Sequence, residues 1–170
     1  MLQFAIADTT KIPIIQDLAQ QSWKEAYKEI LSPEQIDYML SNFYATSTLE
    51  NQITDLPDYL YYLIKYNDNW VGFFAIELHY EPSTTKLHKL YLLPDAKGLG
   101  LGKKAIYFIQ DIANDYMDNR IILNVNKYNN AKFFYETLGF TTYDSGIFDI
   151  GNGYVMDDFL MEKIIILKVP

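Results

Sequence analysis

The chain of 170 residues contains no cysteine, which excludes a disulfide framework, a thiolate nucleophile and a cysteine-ligated metal. It has only two histidines, so we expect no metal site. An apolar run of 18 residues is also missing, and no membrane-spanning helix is predicted. The segment Met1–Asp8 lacks the basic start and the long apolar stretch of a secretory signal. We therefore expect a cytoplasmic protein with no membrane partner.

Positive charge is in short supply as well. Lysine and arginine together number 14 against 22 acidic residues, a formal net charge of −8. Such a surface repels phosphate backbones and attracts cations, so we expect no nucleic-acid partner. Hydrophobic residues make up 49% and charged residues 21%, an ordinary balance for a globular protein. The length predicts one domain that spans residues 1–170.

The order of predicted elements indicates a mixed α/β domain. Ser32-Pro33, with Gln35 three residues after the serine, predicts a helix start. Asn67-Asp68-Asn69 separates two aromatic and branched segments and predicts a hairpin. The whole chain is predicted as a strand, helices, three antiparallel-type strands, a glycine-rich loop, a helix, a strand, a helix and two final strands. The strand–loop–helix–strand segment in the middle predicts one crossover connection.

Three glycines at alternate positions, Gly98, Gly100 and Gly102, lie between a predicted strand and a predicted helix. Glycines allow close backbone approach, and amides at a helix N-terminus bind phosphate. A P-loop is excluded because it requires glycine at position 97 and serine or threonine at position 104, and both are lysines. A dinucleotide-binding fingerprint that starts at Gly98 is excluded because it requires glycine at the position of Lys103. A glycine-rich turn without a ligand stays open as an alternative.

Two motifs around this loop resemble those of the GNAT family of N-acetyltransferases. The segment Leu90–Pro94, followed by Lys97-x-x-Gly100-x-Gly102, resembles the family's acetyl-CoA motif, [RQ]-x-x-G-x-[GA]. The segment Asn126–Phe140 resembles its N-x-x-A-x-x-x-Y-x-x-x-G-F block, and residues 23–34 resemble its first two helices. Lys97 departs from the usual arginine or glutamine and loses the fork geometry of arginine.

The resemblance implies an α/β fold with a mixed, mostly antiparallel central sheet and helices on both faces. It also implies acetyl-CoA as cosubstrate, with the pyrophosphate on the loop amides and the pantetheine arm paired with the strand backbone. Because the asparagine-to-alanine spacing is one residue short, either Asn129 or Asn130 fills the asparagine position. The predicted cofactor-binding residues are Leu90, Tyr91, Leu92, Lys97, Gly98, Leu99, Gly100, Leu101, Gly102, Lys103, Asn129, Asn130 and Phe133.

Two residues are predicted to be catalytic. Tyr135 stands where the family places the tyrosine that protonates the departing thiolate, and a phenol has suitable acidity for that step. His88 precedes Leu90 and Leu92 by two and four residues, so strand alternation predicts that it shares their face. An imidazole there can act as a base for the amine. A structural histidine in the sheet is the equally weighted alternative.

The acceptor is predicted to be a small amine, such as a polyamine. The candidate substrate-binding residues are Trp23, Tyr27, Asp157 and Asp158, the two carboxylates being suited to an ammonium group. Acetylation of a protein or peptide N-terminus, and an acyl-CoA sensor without turnover, are the alternative functions. A homodimer stays open as an oligomeric state.

Overall fold

A computed structural model describes residues 1–168 as a seven-stranded sheet in the order β1-β2-β3-β4-β5-β7-β6. Five of the six strand pairings are antiparallel, and only β4 and β5 run parallel. The predicted mixed, mostly antiparallel sheet is confirmed. Val169 and Pro170, the last residues of the predicted domain, lie outside the described residues. The strands are β1 (Leu2–Ile6), β2 (Tyr59–Tyr66), β3 (Asn69–Glu81), β4 (Thr84–Leu92), β5 (Arg120–Asn126), β6 (Thr141–Gly151) and β7 (Tyr154–Ile164).

Helices cover both faces of the sheet, as predicted. One face, here the α1 face, carries α1 (Ile12–Tyr27), α2 (Pro33–Phe43) and α3 (Thr46–Thr54). The other, the α4 face, carries α4 (Leu101–Asp115) and α5 (Ala131–Thr137). Each face has its own apolar cluster, because alternate side chains of a strand point to opposite sides. Within residues 1–168, no helix is both long and apolar enough to cross a bilayer.

The predicted start of α2 is confirmed, and it also anchors the last hairpin. The hydroxyl of Ser32 accepts a hydrogen bond from the backbone N–H of Gln35 at 3.1 Å. The side chain of Gln35 does not complete a capping box but donates to the carbonyl of Val155 at 3.1 Å. Tyr38 donates from its hydroxyl to the carbonyl of Ile150 at 3.0 Å. Helix α2 therefore holds the β6–β7 hairpin against the α1 face.

The parallel pairing at the centre of the sheet is short. It joins only Thr84–Leu87 of β4 to Arg120–Leu123 of β5. Beyond these residues β4 continues to pair with β3, and β5 continues to pair with β7. The two central strands therefore separate toward their carboxyl ends, and a split opens in the sheet.

Strand β4 contains a bulge close to the start of this split. Leu87 lies opposite Ile76 of β3, but the next partner, Ala75, lies opposite Lys89. His88 is the additional residue. A bulge of this kind interrupts the alternation of side chains along a strand and redirects them, so simple counting from His88 does not give the faces of the residues that follow.

Candidate active site

A narrow cleft occupies the split between β4 and β5. Tyr27 closes it from the α1 face, and Tyr135 of α5 closes it from the α4 face. The separated strands leave no regular ladder across it, which gives an extended ligand access to backbone groups. The strand residues that line the cleft are Leu87–Tyr91 of β4 and Leu123–Val125 of β5.

The cleft continues into a groove of about 600 Å³ that runs below the glycine-rich loop. Gly100 has a φ of +73° and is the residue before the first turn of α4. This left-handed backbone suits glycine. The 15-residue helix α4 directs its unpaired N-terminal amides and the positive end of its dipole toward the groove. Lys97 and Lys103 also line the groove, which can therefore hold an anion.

Most of the predicted cofactor-binding residues meet at this groove, but three of them do not line its walls. Tyr91 lines the cleft instead. Phe133 is 61% exposed and Leu99 49% exposed, and neither side chain lines the groove. The sequence analysis missed Phe134, whose ring lies in the wall. The predicted residues that do line the groove are Leu90, Leu92, Lys97, Gly98, Gly100, Leu101, Gly102, Lys103, Asn129 and Asn130.

Asn129 lies at the junction of the groove and the cleft and lines both. Its side-chain oxygen accepts a hydrogen bond from the N–H of Ala131 at 2.9 Å, at the start of α5. Asn130 lines only the groove, and its side chain makes no capping hydrogen bond to the helix. The two candidates are thus separated in space, and Asn129 is the one that reaches the cleft.

Tyr135 lines both the cleft and the groove, on the buried side of α5. Its ring makes edge contacts with Phe134 and Phe140. Burial, with a smaller contribution from Tyr27, raises the pKa of the Tyr135 phenol above its usual value. The hydroxyl therefore stays protonated at neutral pH and is available as a proton donor.

The α1 side of the cleft is a cluster of aromatic residues. The hydroxyls of Tyr27 and Tyr91 lie 3.1 Å apart in a shared hydrogen bond. Trp23 packs on both rings and donates from Nε1 to the hydroxyl of Tyr44 at 3.1 Å. Of the two aromatic residues predicted to bind substrate, Tyr27 lines the cleft, whereas Trp23 is buried behind it.

The prediction that His88 shares the face of Leu90 and Leu92 is wrong. Both leucines pack with the α4-face cluster. His88 instead stacks on Tyr59, a residue of the α1-face cluster, with 4.8 Å between the ring centroids. The bulge in β4 is the physical reason, because its additional residue changes the alternation. His88 nevertheless lines the cleft.

His88 is paired with a carboxylate that the sequence analysis missed. Its Nε2 lies 2.8 Å from Oε2 of Glu77 on β3. Burial lowers the pKa of His88 to about 3, so the imidazole is neutral. Because a carboxylate only accepts, Nε2 carries the hydrogen and Nδ1 is left as the acceptor. No local pattern in the sequence marks Glu77, because its contact with His88 joins two strands beside the bulge.

Lys89, the next residue of β4, was also missed. Its Nζ donates to the hydroxyl of Tyr61 and lies 4.6 Å and 4.9 Å from the ring centroids of Tyr44 and Tyr61. These contacts are cation–π interactions. Burial lowers the pKa of Lys89 to about 7. A lysine among aromatic residues has no sequence pattern that would reveal it.

The two aspartates predicted to bind substrate have different surroundings. Asp157 forms an ion pair with Lys127, with 2.6 Å between Oδ1 and Nζ. Asp158 is buried, and Oδ2 lies 3.4 Å from the side-chain nitrogen of Asn124, which lines the cleft. Burial raises the pKa of Asp158. The structure therefore places Asp158 behind the cleft residue Asn124 and pairs Asp157 with Lys127.

A mixed, mostly antiparallel sheet with helices on both faces and a glycine-rich helix start is the arrangement that the resemblance to N-acetyltransferases implies. Residues 14–140 match the profile of the acetyltransferase (GNAT) family. The chain belongs to this family, and the predicted resemblance is confirmed.

Two curated relatives have related sequences. An uncharacterized N-acetyltransferase in the pepI 3′ region of Lactobacillus delbrueckii subsp. lactis is 22% identical over 162 residues, covering 91% of this chain and 92% of the relative. The 5-NmdU N-acetyltransferase of Pseudomonas phage PaMx11 is 38% identical over 87 residues, which are 45% of this chain and 60% of the relative.

Solved structures show the same fold. The PaiA N-acetyltransferase from Thermoplasma acidophilum, in complex with coenzyme A, has a TM-score of 0.82 at 23% identity, covering 96% of this chain and 99% of that one. The ribosomal-protein-S18-alanine N-acetyltransferase from Escherichia coli has a TM-score of 0.72 at 17% identity, covering 97% of this chain and 94% of that one. At these identities the likeness shows the fold alone.

Proposed function

We propose that this protein transfers the acetyl group of acetyl-CoA to a small cationic amine, such as a polyamine, by direct attack. The observation that carries the proposal is the continuity of the groove at the start of α4 with the cleft at Tyr135. One part of this space suits phosphates, and the other holds a protonated phenol. An acyl thioester carried on a phosphorylated arm needs both.

The loop and the split strand would hold acetyl-CoA between them. The N-terminal amides of α4, together with Lys97 and Lys103, suit the pyrophosphate. Leu90 and Leu92 use one backbone edge to pair with β3 and leave the other facing the split, as pairing with the pantetheine amides requires. The PaiA structure, which contains coenzyme A, has the same fold and supports this assignment.

The reaction forms a carbon–nitrogen bond and breaks the carbon–sulfur bond of the thioester. The neutral amine attacks, after its ammonium form has released one proton to solvent. The nitrogen then loses one more proton as the amide forms, and the departing thiolate gains one. We assign the protonation of the thiolate to Tyr135, whose phenol stays protonated in its buried position. We assign the removal of the proton from nitrogen to Nδ1 of His88, the acceptor atom that remains free because Nε2 donates to the Glu77 carboxylate at 2.8 Å.

The charge of the molecule supports a cationic acceptor. The net charge is −8, and the side chain of Asp158 lies beside the cleft residue Asn124. An acidic acceptor would be repelled by both, whereas an ammonium ion would be attracted.

The proposal is tested by a CoA-release assay with a panel of polyamines, monoamines, amino acids and peptides. We expect acetyl-CoA turnover with amines and the highest kcat/KM with di- and polyamines. Highest turnover with peptides would favour the N-terminal acetyltransferase alternative. Binding of acetyl-CoA without turnover of any acceptor would favour the sensor.

A further inference from the structure

We infer that Asp158 binds a second, non-reacting ammonium group of the acceptor, which makes diamines and longer polyamines the preferred substrate class. This inference rests on the proposed function and assigns one residue to the recognition of the acceptor. It depends on three observations: an unsatisfied carboxylate, the engagement of the nearby cations by other groups, and the place of Asp158 in the sheet.

The carboxylate of Asp158 is buried without enough partners. The residue is 7% exposed, and the contact of Oδ2 with Asn124 is long, at 3.4 Å. Oδ1 has no hydrogen-bond donor among residues 1–168. A buried carboxylate that is neither paired nor fully hydrogen-bonded is costly. A ligand cation would supply the missing donor and the missing charge.

The lysines close to Asp158 make their contacts elsewhere. Lys127 forms the 2.6 Å ion pair with Asp157. Lys86 lies 4.4 Å from the ring centroid of Tyr80 and donates to its hydroxyl at 3.3 Å. Neither ammonium group forms an ion pair with Asp158 in the described part of the chain. The carboxylate of Asp158 is therefore left without a direct cationic partner, which a substrate ammonium group can supply.

The position of Asp158 separates it from the reacting end of the cleft. Asp158 lies opposite Asn126 in the β5–β7 register. Met156, two residues before Asp158 on β7, packs with the α1-face cluster. Asp158 therefore faces the same side as His88. These two residues are on strands separated by β5 and by the split, so the distance between them exceeds two strand spacings, or about 10 Å. Several methylene groups between two nitrogens would cover this distance.

The test compares putrescine with butylamine, which have the same carbon chain but two and one ammonium groups. In Asp158→Asn, we expect KM for putrescine to rise at least ~10-fold, as for the loss of a charge-assisted contact. KM for butylamine should change less than ~2-fold, because butylamine has no second ammonium group to contact Asp158. The affinity for acetyl-CoA should be unchanged, and the melting temperature equal or higher, since a buried charge is removed.

Asp37→Asn is the matched control, since it removes one exposed carboxylate of α2 and the same net charge. The inference is overturned if Asp158→Asn affects both amines equally. It is also overturned if Asp37→Asn raises KM for putrescine as much, because the long-range field would then explain the preference.

A binding experiment on the wild-type protein keeps the inference testable if the variant does not fold. Calorimetry with CoA present should give at least ~10-fold tighter binding of putrescine than of butylamine. Equal affinities would overturn the inference. Turnover of butylamine would still support the proposed function in that case. If no amine is acetylated, the proposed function fails, and the same binding comparison still decides the role of Asp158.

Discussion

Tyr135 joins the two parts of the candidate site, since its side chain lines both the groove and the cleft. Replacement by phenylalanine keeps the packing on Phe134 and Phe140 and removes only the hydroxyl. We expect Tyr135→Phe to lower kcat by roughly 10²-fold or more, the usual range for a general acid. The Kd of acetyl-CoA, measured by calorimetry, should change little. Full turnover in this variant would show that another group protonates the thiolate.

Lys89 gives a pH-dependent prediction. Burial lowers its pKa from 10.5 to about 7, so between these two values the unfolded chain binds a proton that the folded protein does not. The free energy of unfolding therefore rises with pH in this window, by at most ~1.4 kcal/mol per pH unit. Lys89→Met removes this contribution.

Urea denaturation between about pH 7 and pH 9 measures the effect directly. The free energy of unfolding of the wild type should increase relative to that of Lys89→Met as the pH increases, because the variant lacks the titrating group. A constant difference over this range would contradict the lowered pKa.

The sequence predicted the residues of the cleft that occupy positions of a motif. It did not predict the residues that reach the cleft only through tertiary contacts. Tyr135 and Asn129 occupy motif positions and line the cleft. Glu77 is recognised only through its hydrogen bond to His88, and Lys89 only through the tyrosines around it. These contacts join separate strands and a helix end, so no local pattern in the sequence contains them.

At the level of elements, the start of α4 is sensitive to side-chain volume. A Cβ on Gly102 would lie 3.2 Å from Cζ of Phe134 on α5 and 3.7 Å from Cδ1 of Leu92. A valine must therefore displace the first turn of α4 or the ring that forms the groove wall. We expect Gly102→Val to weaken acetyl-CoA binding by at least ~2 kcal/mol, as for lost charge-assisted hydrogen bonds.

Calorimetry on the folded variant tests this expectation, with far-UV circular dichroism as the check on folding. Lys104→Val, at an exposed position of the same helix, controls for the low helix propensity of valine. Unchanged affinity in a folded Gly102→Val protein would remove the groove from the cofactor site.

The elements themselves followed well from the sequence, but the bulge in β4 did not. The hairpin between Tyr66 and Asn69 and the cap at Ser32 match local turn and capping residues. The bulge at His88 has no such marker, because no glycine or proline accompanies it. It arises from pairing with β3, and it moved His88 to the face opposite to the one predicted.

For the whole molecule, the net charge of −8 predicts a salt dependence. The negative field concentrates cationic acceptors near the surface and is screened over a Debye length of ~8 Å at physiological ionic strength. We expect KM for a polyamine to rise as sodium chloride is added, while kcat changes little. Steady-state kinetics at several salt concentrations measure this. A KM that is indifferent to salt would contradict electrostatic attraction of the acceptor.

The short parallel pairing between β4 and β5 also has a mechanical consequence. The sheet consists of two leaves, β1–β4 and β5–β7, and the ladder between them holds only four residue pairs. Within each leaf the pairing that adjoins the split is longer. An extended molecule bound in the split would contact both leaves and connect them. Binding of the cosubstrate would then stabilise the contact between the two leaves. Part of the binding free energy would appear as resistance of the sheet to unfolding in two separate parts.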